Sequence, residues 1–156
     1  MNHLKKIPDG YYSLTPYLNL KDASKAIDFY KKAFDAKEQM RMMAPDGKSI
    51  IHAELMIGNS RLMVADENKD RNYLSPTTLK GSSGGIYLHV DDADRIFNQA
   101  IAEGAKVLNP IKDQFCGDRH GVIEDPFGHR WSIATRIKNL TPEELNRAAR
   151  EAFGDG

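Results

Sequence analysis

The amino-acid sequence predicts an α+β protein built from two tandem βαβββ modules and a C-terminal helix. The segment Leu18-Asn19-Leu20-Lys21-Asp22-Ala23 closely matches Leu88-His89-Val90-Asp91-Asp92-Ala93, seventy positions later. In both copies a strand-like segment runs into an aspartate that suits the N-cap of a helix. Residues 117–135 are typical of a β-hairpin that closes the second copy. A repeat of this length indicates a duplicated supersecondary unit.

The first module begins with a strand predicted at residues 11–20, and Asp22 then caps a helix. The apolar residues of this helix recur at the spacing of a helix that lies on a sheet. They are Ala26, Ile27, Tyr30, Ala33 and Phe34. Further strands are predicted at residues 37–43, 49–57 and 61–65, separated by turns at Pro45-Asp46-Gly47 and Gly58-Asn59.

The second module repeats this pattern. Residues 85–90 predict a strand, Asp92 caps a helix that Gly104 ends, and residues 106–109 predict a short strand. In the closing hairpin, Asp125-Pro126-Phe127-Gly128 predicts the turn, because proline presets the first dihedral and glycine tolerates a positive φ.

Two features complete the predicted fold. Trp131 is expected in the core beneath a helix, because large aromatic side chains gain most from burial. Thr141, Pro142 and Glu144 predict a capped helix that ends near Gly154. The resulting division of the chain is a lead-in at residues 1–10, a first module at 11–66, a linker at 67–83, a second module at 84–137 and a helical tail at 138–156.

Composition limits the classes of partner. The chain has 156 residues, with 22 Lys plus Arg and 22 Asp plus Glu, so its formal net charge is zero. This balance argues against nucleic acid or an anionic membrane as a partner, because no basic excess is available to neutralise phosphates. Cys116 is the single cysteine, and the sequence shows no signal peptide or membrane span. We therefore expect a cytoplasmic protein.

These residues resemble a known superfamily. The duplicated βαβββ pattern, the helix entry at residues 22–30 and the Asp125-Pro126-Phe127-Gly128 turn resemble the vicinal oxygen chelate superfamily, which contains glyoxalase I, extradiol dioxygenases and bleomycin-resistance proteins. Residues 52–55, residues 117–135 and the helix start at residues 141–144 look like its PhnB-like branch. The resemblance implies the glyoxalase/bleomycin resistance fold, in which curled mixed sheets form a cup. It also implies a homodimer.

The same resemblance implies four positions for metal ligands, which fall on Thr15, Glu54, Gly85 and Ser132. A divalent metal needs three or four His, Asp, Glu or Cys donors, and only Glu54 is a good one. The sequence therefore favours a cup without a metal cofactor. The alternative is a divalent metal at a relocated site made by His52, Glu54 and His89.

Strand alternation supplies the candidate ligand-binding residues. Side chains two positions apart on a strand share a sheet face. Residues two positions from an implied metal-ligand position are therefore expected to face the cup as well. The full set is Thr15, Tyr17, Asn19, His52, Glu54, Tyr87, His89, Arg130 and Ser132. Arg119 has two alternative roles. It is a ligand-binding residue if it lies over the mouth of the cup, where it would bind an anionic group. It is a structural residue if it forms a salt bridge that orders the hairpin.

Three functions remain open on sequence alone, and whether the protein is an enzyme is among the open questions. The first is a metal-free protein that binds a small molecule. The second is a lyase, isomerase or dioxygenase that uses the relocated metal or acts by acid–base chemistry through Glu54 and His89. In the acid–base case Glu54, with a raised pKa in an apolar cup, is the general base. The third is a structural or partner-binding domain whose cup is filled by Tyr17, Met42, Met56 and Tyr87.

Overall fold

The structure is a computed structural model that describes residues 3–154, and the chain forms two compact units that meet in sequence between Gly81 and Ser82. Each unit has a four-stranded mixed sheet with one helix packed on it. This arrangement confirms the predicted α+β class with two βαβββ repeats and a C-terminal helix. The proposed module and linker boundaries stay a prediction.

The first unit contains β1 (Tyr17–Leu20), α1 (Ala23–Phe34), β2 (Lys37–Met43), β3 (Ile50–Ile57) and β4 (Ser60–Asp66), and the short helix α2 (Pro76–Leu79) follows. The strand order is β1-β4-β3-β2. β1 pairs parallel with β4, and the other two pairs are antiparallel. The second unit contains β5 (Gly85–His89), α3 (Ala93–Ala102), β6 (Lys106–Asp113), β7 (Asp118–Glu124), β8 (Arg130–Arg136) and α4 (Pro142–Phe153). Its order, β5-β8-β7-β6, repeats the first.

Two strands differ in length from the sequence prediction by more than two residues. β1 begins at Tyr17 and not at residue 11. Pro16, directly before it, has no N–H to donate to a ladder and contributes only its carbonyl, which accepts from the Met63 amide. β6 continues to Asp113, beyond the predicted end at Asn109. It is an edge strand, and its pairing with β7 is irregular around Pro110, so the missing proline N–H is tolerated there.

The segment between the predicted modules is more ordered than its polar composition suggested. It contains a 3₁₀ helix at Lys69–Arg71 as well as α2. The Glu67 carboxylate accepts hydrogen bonds from the Ser75 amide and hydroxyl, from Thr78 Oγ1 and from Lys21 Nζ. These bonds, the Ser75 amide foremost, lower the pKa of Glu67 to about 2.

Burial is one-sided in each sheet. In β3, Ala53, Leu55 and Ile57 are buried on the helix side, while the alternating His52 and Glu54 are only half-buried on the other side. The same alternation in β8 buries Trp131 and Ile133, and Trp131 is only 1% exposed. The predicted core position of the tryptophan is therefore confirmed.

The two units fasten their helices in the same way. The Ala23 amide, at the start of α1, donates to Asp66 Oδ1 at 2.8 Å. The Ala93 amide, at the start of α3, donates to Thr135 Oγ1, also at 2.8 Å. Asp66 lies three residues after Met63, which pairs with Tyr17, and Thr135 lies three residues after Ser132, which pairs with Tyr87. The repeat therefore extends to individual hydrogen bonds.

The C-terminal helix α4 begins with the predicted capping box, in which Thr141 and Glu144 each accept a hydrogen bond from the other's backbone amide. Near the other end, the Phe153 ring lies edge-on to the Phe115 ring, with the centroids 5.3 Å apart. No helix within residues 3–154 combines the length and the apolar content needed to cross a membrane.

The turn between β7 and β8 is built around the buried carboxylate of Asp125. Its Oδ1 accepts from the amides of Phe127 and His129, both at 2.9 Å. Its Oδ2 accepts from the indole Nε1 of Trp131 at 3.0 Å. Gly128 takes the positive φ of 91° that the turn requires. One side chain thus joins the turn to the largest core residue.

We predict that Asp125→Ala destabilises the protein by about 3 kcal/mol, because it leaves a buried indole N–H and two turn amides without an acceptor. Urea unfolding measures this loss. The matched control is Asp46→Ala, since Asp46 also accepts from two turn amides, those of Lys48 and Ser49, but is exposed. Equal losses in the two variants would show that the buried indole bond contributes nothing.

Candidate functional site

In each unit, the sheet face opposite the helix carries the candidate site residues. On the first unit this open face presents Tyr17 and Asn19 from β1, His52 and Glu54 from β3, and Arg61 from β4, whose burial alternates with that of their apolar neighbours. Tyr17, His52 and Glu54 are brought together as the sequence predicted. Asn19 is half-buried, and Thr15, also half-buried, precedes the strand.

A chain of hydrogen bonds links the polar groups of the first open face. The Tyr17 hydroxyl lies 2.9 Å from Nδ1 of His52, and Nε2 of the same ring lies 3.1 Å from Glu54 Oε1. The second carboxylate oxygen, Oε2, accepts from the hydroxyl of Tyr11. Both nitrogens of His52 and both oxygens of Glu54 therefore have partners.

Arg61 holds the segment Gly10–Tyr11 across this face. Its guanidinium carbon lies 4.4 Å from the centroid of the Tyr11 ring, in a cation–π contact. Its Nε donates to the Gly10 carbonyl at 3.1 Å, and its Nη1 lies 3.6 Å from Glu54 Oε2. We call Gly10–Tyr11 the N-terminal strap. Sequence analysis missed both Tyr11 and Arg61, although alternation in β4 places Arg61 on the face of Met63.

The electrostatics of Glu54 correct one expectation. The hypothesis of a general base required a raised pKa for Glu54. The hydrogen bond from Tyr11, with smaller contributions from His52 and Arg61, instead lowers the pKa of this carboxyl below its ordinary value. A carboxylate that is stabilised in this way is a weaker base, because its ionised form is already satisfied.

The open face of the second unit contains a cavity of about 290 Å³. Three of the predicted site residues line it: Tyr87, Arg130 and Ser132. Asn109, Leu108 and Val122 complete the wall, and the sequence did not single them out. The cavity thus combines polar groups with apolar surface, which is the usual composition of a small-molecule site.

Gly85 and Arg130 form one end of this cavity. A Cβ at position 85 would lie 2.9 Å from the Arg130 carbonyl oxygen and 3.2 Å from its Nε, so only glycine leaves room for the arginine. Arg130 is exposed, and within residues 3–154 its guanidinium forms no ion pair. It is a cation available for a ligand.

Beside the cavity, Tyr87 belongs to a second polar cluster. Its hydroxyl donates to Asp118 Oδ2 at 2.8 Å, and its ring stacks on His120 with centroids 5.2 Å apart. His89 lies at the edge of this cluster, with its ring centroid 4.8 Å from that of Tyr87. Burial, together with the bond to Asp118, raises the pKa of Tyr87, and burial lowers the pKa of His120. Asp118 and His120 were missed as neighbours of Tyr87.

Arg119 does not lie over the open face. Its guanidinium forms ion pairs with Asp94, on α3, and with Asp113, on β6, at 2.6 and 3.0 Å. Asp118 and His120, its neighbours in β7, point to the open face, so alternation sends Arg119 to the helix side. The geometry corrects the expectation of an anion-binding fork and agrees with the alternative of a salt bridge that orders the hairpin.

The strand registers also correct the pairing of the implied metal-ligand positions. Ser132 lies opposite Tyr87 and Val122, whereas Glu54 lies opposite Met63, which in turn pairs with Tyr17. The counterpart of Ser132 in the first unit is therefore Met63, and the counterpart of Glu54 in the second unit is Val122. A thioether and a valine are unsuitable ligands for a hard or borderline divalent metal.

The residues at these positions do not fit the metal of the vicinal oxygen chelate enzymes. Thr15, Gly85 and Ser132 offer no imidazole and no carboxylate, and Glu54, the one good donor of the implied set, has both oxygens bonded to Tyr11 and His52. Within either unit, the described residues bring no three His, Cys, Asp or Glu side chains together in a way that could hold an ion. His52 and Glu54 belong to the first unit and His89 to the second, so the relocated site stays a prediction.

Comparison with known proteins agrees with the geometry. The family model of the Glyoxalase/Bleomycin resistance protein/Dioxygenase superfamily matches residues 4–133. The chain belongs to this superfamily. An uncharacterized protein of Mycobacterium tuberculosis (strain H37Rv) is 42% identical over 147 residues, which cover 92% of this chain and 85% of the relative.

Solved structures of other proteins share the fold. A Pseudomonas aeruginosa protein is 26% identical with a TM-score of 0.65, covering 81% of this chain and 98% of that one. A Bacillus cereus structure described as a putative 3-demethylubiquinone-9 3-methyltransferase, PhnB protein, is 18% identical with a TM-score of 0.63, covering 80% of this chain and 99% of that one. At that identity the second likeness concerns the fold alone.

We predict that Tyr11→Phe raises the pKa of Glu54 towards its ordinary value and lowers the stability of the protein at about pH 7. Because the folded-state pKa of Glu54 is depressed, its stabilising contribution is present above the unfolded-state pKa and is lost as the pH falls through the folded-state pKa. The difference in stability between wild type and variant should therefore shrink as the pH falls below the ordinary glutamate value of 4.5.

Side-chain carboxyl NMR titration measures the pKa, and urea unfolding at each pH measures the stability. Tyr12→Phe is the matched control, because Tyr12 is the adjacent tyrosine and is 77% exposed. An unchanged Glu54 pKa in the Tyr11 variant would contradict the role assigned to the strap.

Proposed function

We propose that the protein binds a small molecule on an open sheet face and does so without the metal-ligand set of the superfamily's metal enzymes. The observation that carries this proposal is the cavity of the second unit. Its lining combines apolar surface with a hydroxyl, an amide and a guanidinium that forms no ion pair with any residue from 3 to 154. Such a lining favours recognition of a ligand, because a few placed polar groups orient it while apolar walls supply contact area.

The donor chemistry supports a metal-free site. Of the four positions implied for metal ligands, only Glu54 holds a good donor, and both of its carboxylate oxygens already accept hydrogen bonds. At Gly85 any donor side chain would meet the Arg130 backbone. Recruiting a metal here would require several substitutions and a shift of β8.

The alternative functions have less support. A metal-dependent lyase, isomerase or dioxygenase using His52, Glu54 and His89 would have to break the bonds that Tyr17 and Tyr11 make to the first two. A domain with a filled cup would bury its tyrosines, but Tyr17 and Tyr87 are 47% and 48% exposed.

Two further proposals follow from the family resemblance, and a third follows from the cysteine content. The motif at residues 117–135 and the shared fold of the Bacillus cereus PhnB protein support membership of the PhnB-like branch. A homodimer is proposed because the superfamily commonly assembles that way. A cytoplasmic location is proposed from the single cysteine, Cys116.

We predict that protein purified without chelator contains Fe, Ni, Mn and Zn each far below one equivalent, because the described residues of neither unit form an adequate donor set. Inductively coupled plasma mass spectrometry measures this content. About one equivalent of metal, lost in Glu54→Gln and kept in the matched Glu103→Gln, would overturn the metal-free proposal in favour of the relocated site.

The binding half of the proposal is tested separately. A small-molecule library is screened by thermal shift, and hits are mapped by amide NMR. We expect saturable ligands that perturb Gly85, Tyr87 and Ser132. A library that yields no ligand for either open face would contradict the proposal.

A further inference from the structure

The two units carry equivalent open-face positions, and the strand registers define them. Tyr17 pairs with Met63 in the first unit, and Tyr87 pairs with Ser132 in the second. Arg61 lies two residues before Met63 on β4, and Arg130 lies two residues before Ser132 on β8. Across the sheet, Met63 lies opposite Glu54 as Ser132 lies opposite Val122. The duplicated unit therefore allows a comparison of two versions of one site within one chain.

In the first unit the arginine has partners from within the chain. Arg61 has a carboxylate beside it in Glu54, an aromatic ring against its guanidinium in Tyr11, and a carbonyl acceptor at Nε in Gly10. The Tyr11 hydroxyl closes the arrangement on Glu54. The guanidinium at this position thus contacts a planar ring and an anionic oxygen.

In the second unit both partners are missing. Val122 stands where Glu54 stands in the first unit, so Arg130 has no equivalent carboxylate. The residue seventy positions after Tyr11 is Gly81, and the segment Gly81-Ser82-Ser83-Gly84 contains no aromatic ring. The space of about 290 Å³ lies beside Arg130 and is bounded by Leu108 and Val122.

We infer that this cavity binds a small planar carboxylate, such as an aryl carboxylic acid, whose carboxylate pairs with Arg130 and whose ring packs against Leu108 and Val122. The inference names the ligand class for the proposed small-molecule site and rests on that function. The ligand supplies in the second unit what Glu54 and Tyr11 supply in the first.

The chemistry of the wall fits this class. Arginine pairs with planar carboxylates through parallel N–H bonds and stacks on aromatic faces. Ser132 and Asn109 offer further hydrogen-bonding groups. The cavity lies near the lower end of the size range of ligand pockets, which suits a single ring rather than a fused system.

One carboxylate lies near the site and shapes the expectation. Glu124 is opposite Arg130 in the register, yet it forms no ion pair with it within the described residues. Its charge disfavours a ligand with two negative groups more than a monoanion. Glu124→Gln should therefore strengthen the binding of a monocarboxylate severalfold.

The test titrates isotope-labelled full-length protein with benzoate and, separately, with the uncharged isostere benzamide. We expect benzoate to shift the amides of Gly85, Tyr87 and Ser132 and to bind about 10-fold more tightly than benzamide. Arg130→Gln should weaken benzoate binding by about 10-fold. Arg136→Gln, the control on the same strand and face, should leave the dissociation constant within about twofold.

A second pair of variants tests the internal comparison. Val122→Glu restores to the second unit the carboxylate of the first, so it should weaken benzoate binding far more than benzamide binding. Val122→Gln loses the same apolar contact without adding a charge, so it should weaken the two compounds equally. Circular dichroism and thermal unfolding confirm that both variants fold.

The outcomes separate the inference from the proposed function. Equal affinity for benzoate and benzamide, or equal losses in the Arg130 and Arg136 variants, overturns the carboxylate assignment. If benzoate causes no shifts but a neutral screening hit perturbs the cavity amides, the function stands and the ligand class is wrong. If no compound perturbs them, both are wrong.

Discussion

Each four-stranded sheet packs one face against a single helix, and the rest of the structure depends on this one-sided burial. The apolar residues of α1 and α3 gain burial only against the apolar alternation of their strands. Matching hydrogen bonds, from the Ala23 amide to Asp66 and from the Ala93 amide to Thr135, fasten each helix start to its sheet. The opposite faces contribute little to these cores, so they can carry polar side chains at small cost to stability.

Duplication then allows equivalent positions to diverge. Arg61 and Arg130 occupy the same place in the two registers, but the first is enclosed by Tyr11 and Glu54 while the second faces a cavity. The first unit uses its open face for an internal network that ties the N-terminal strap to the sheet. In the second unit Arg130 forms no ion pair with the residues that the structure describes, and a cation of this kind beside apolar walls is a group that a ligand can use.

The network on the first unit also explains why a good donor residue need not be a catalyst. Glu54 is the strongest candidate acid or ligand by residue type, yet three partners stabilise its ionised form and lower its pKa. Its oxygens are committed to Tyr11, His52 and Arg61. Residue type sets what a side chain can do, and its partners decide which of those reactions is favourable.

Local sequence patterns determined the elements of this fold, because each pattern acts within a few residues. These patterns are the two aspartate N-caps, the capping box at Thr141, the turn at Asp125 and the alternation that put Glu54 and Ser132 on open faces. Sequence could not place the end of β6 or the start of β1, because the pairing of edge strands decides both. It also missed Arg61 and the helix-side position of Arg119. Only the tertiary structure decided the site. Tyr11 and Glu54, which form a hydrogen bond, are 43 positions apart, and Gly85 and Arg130, which lie against each other, are 45 positions apart. Both separations are beyond the reach of any local pattern.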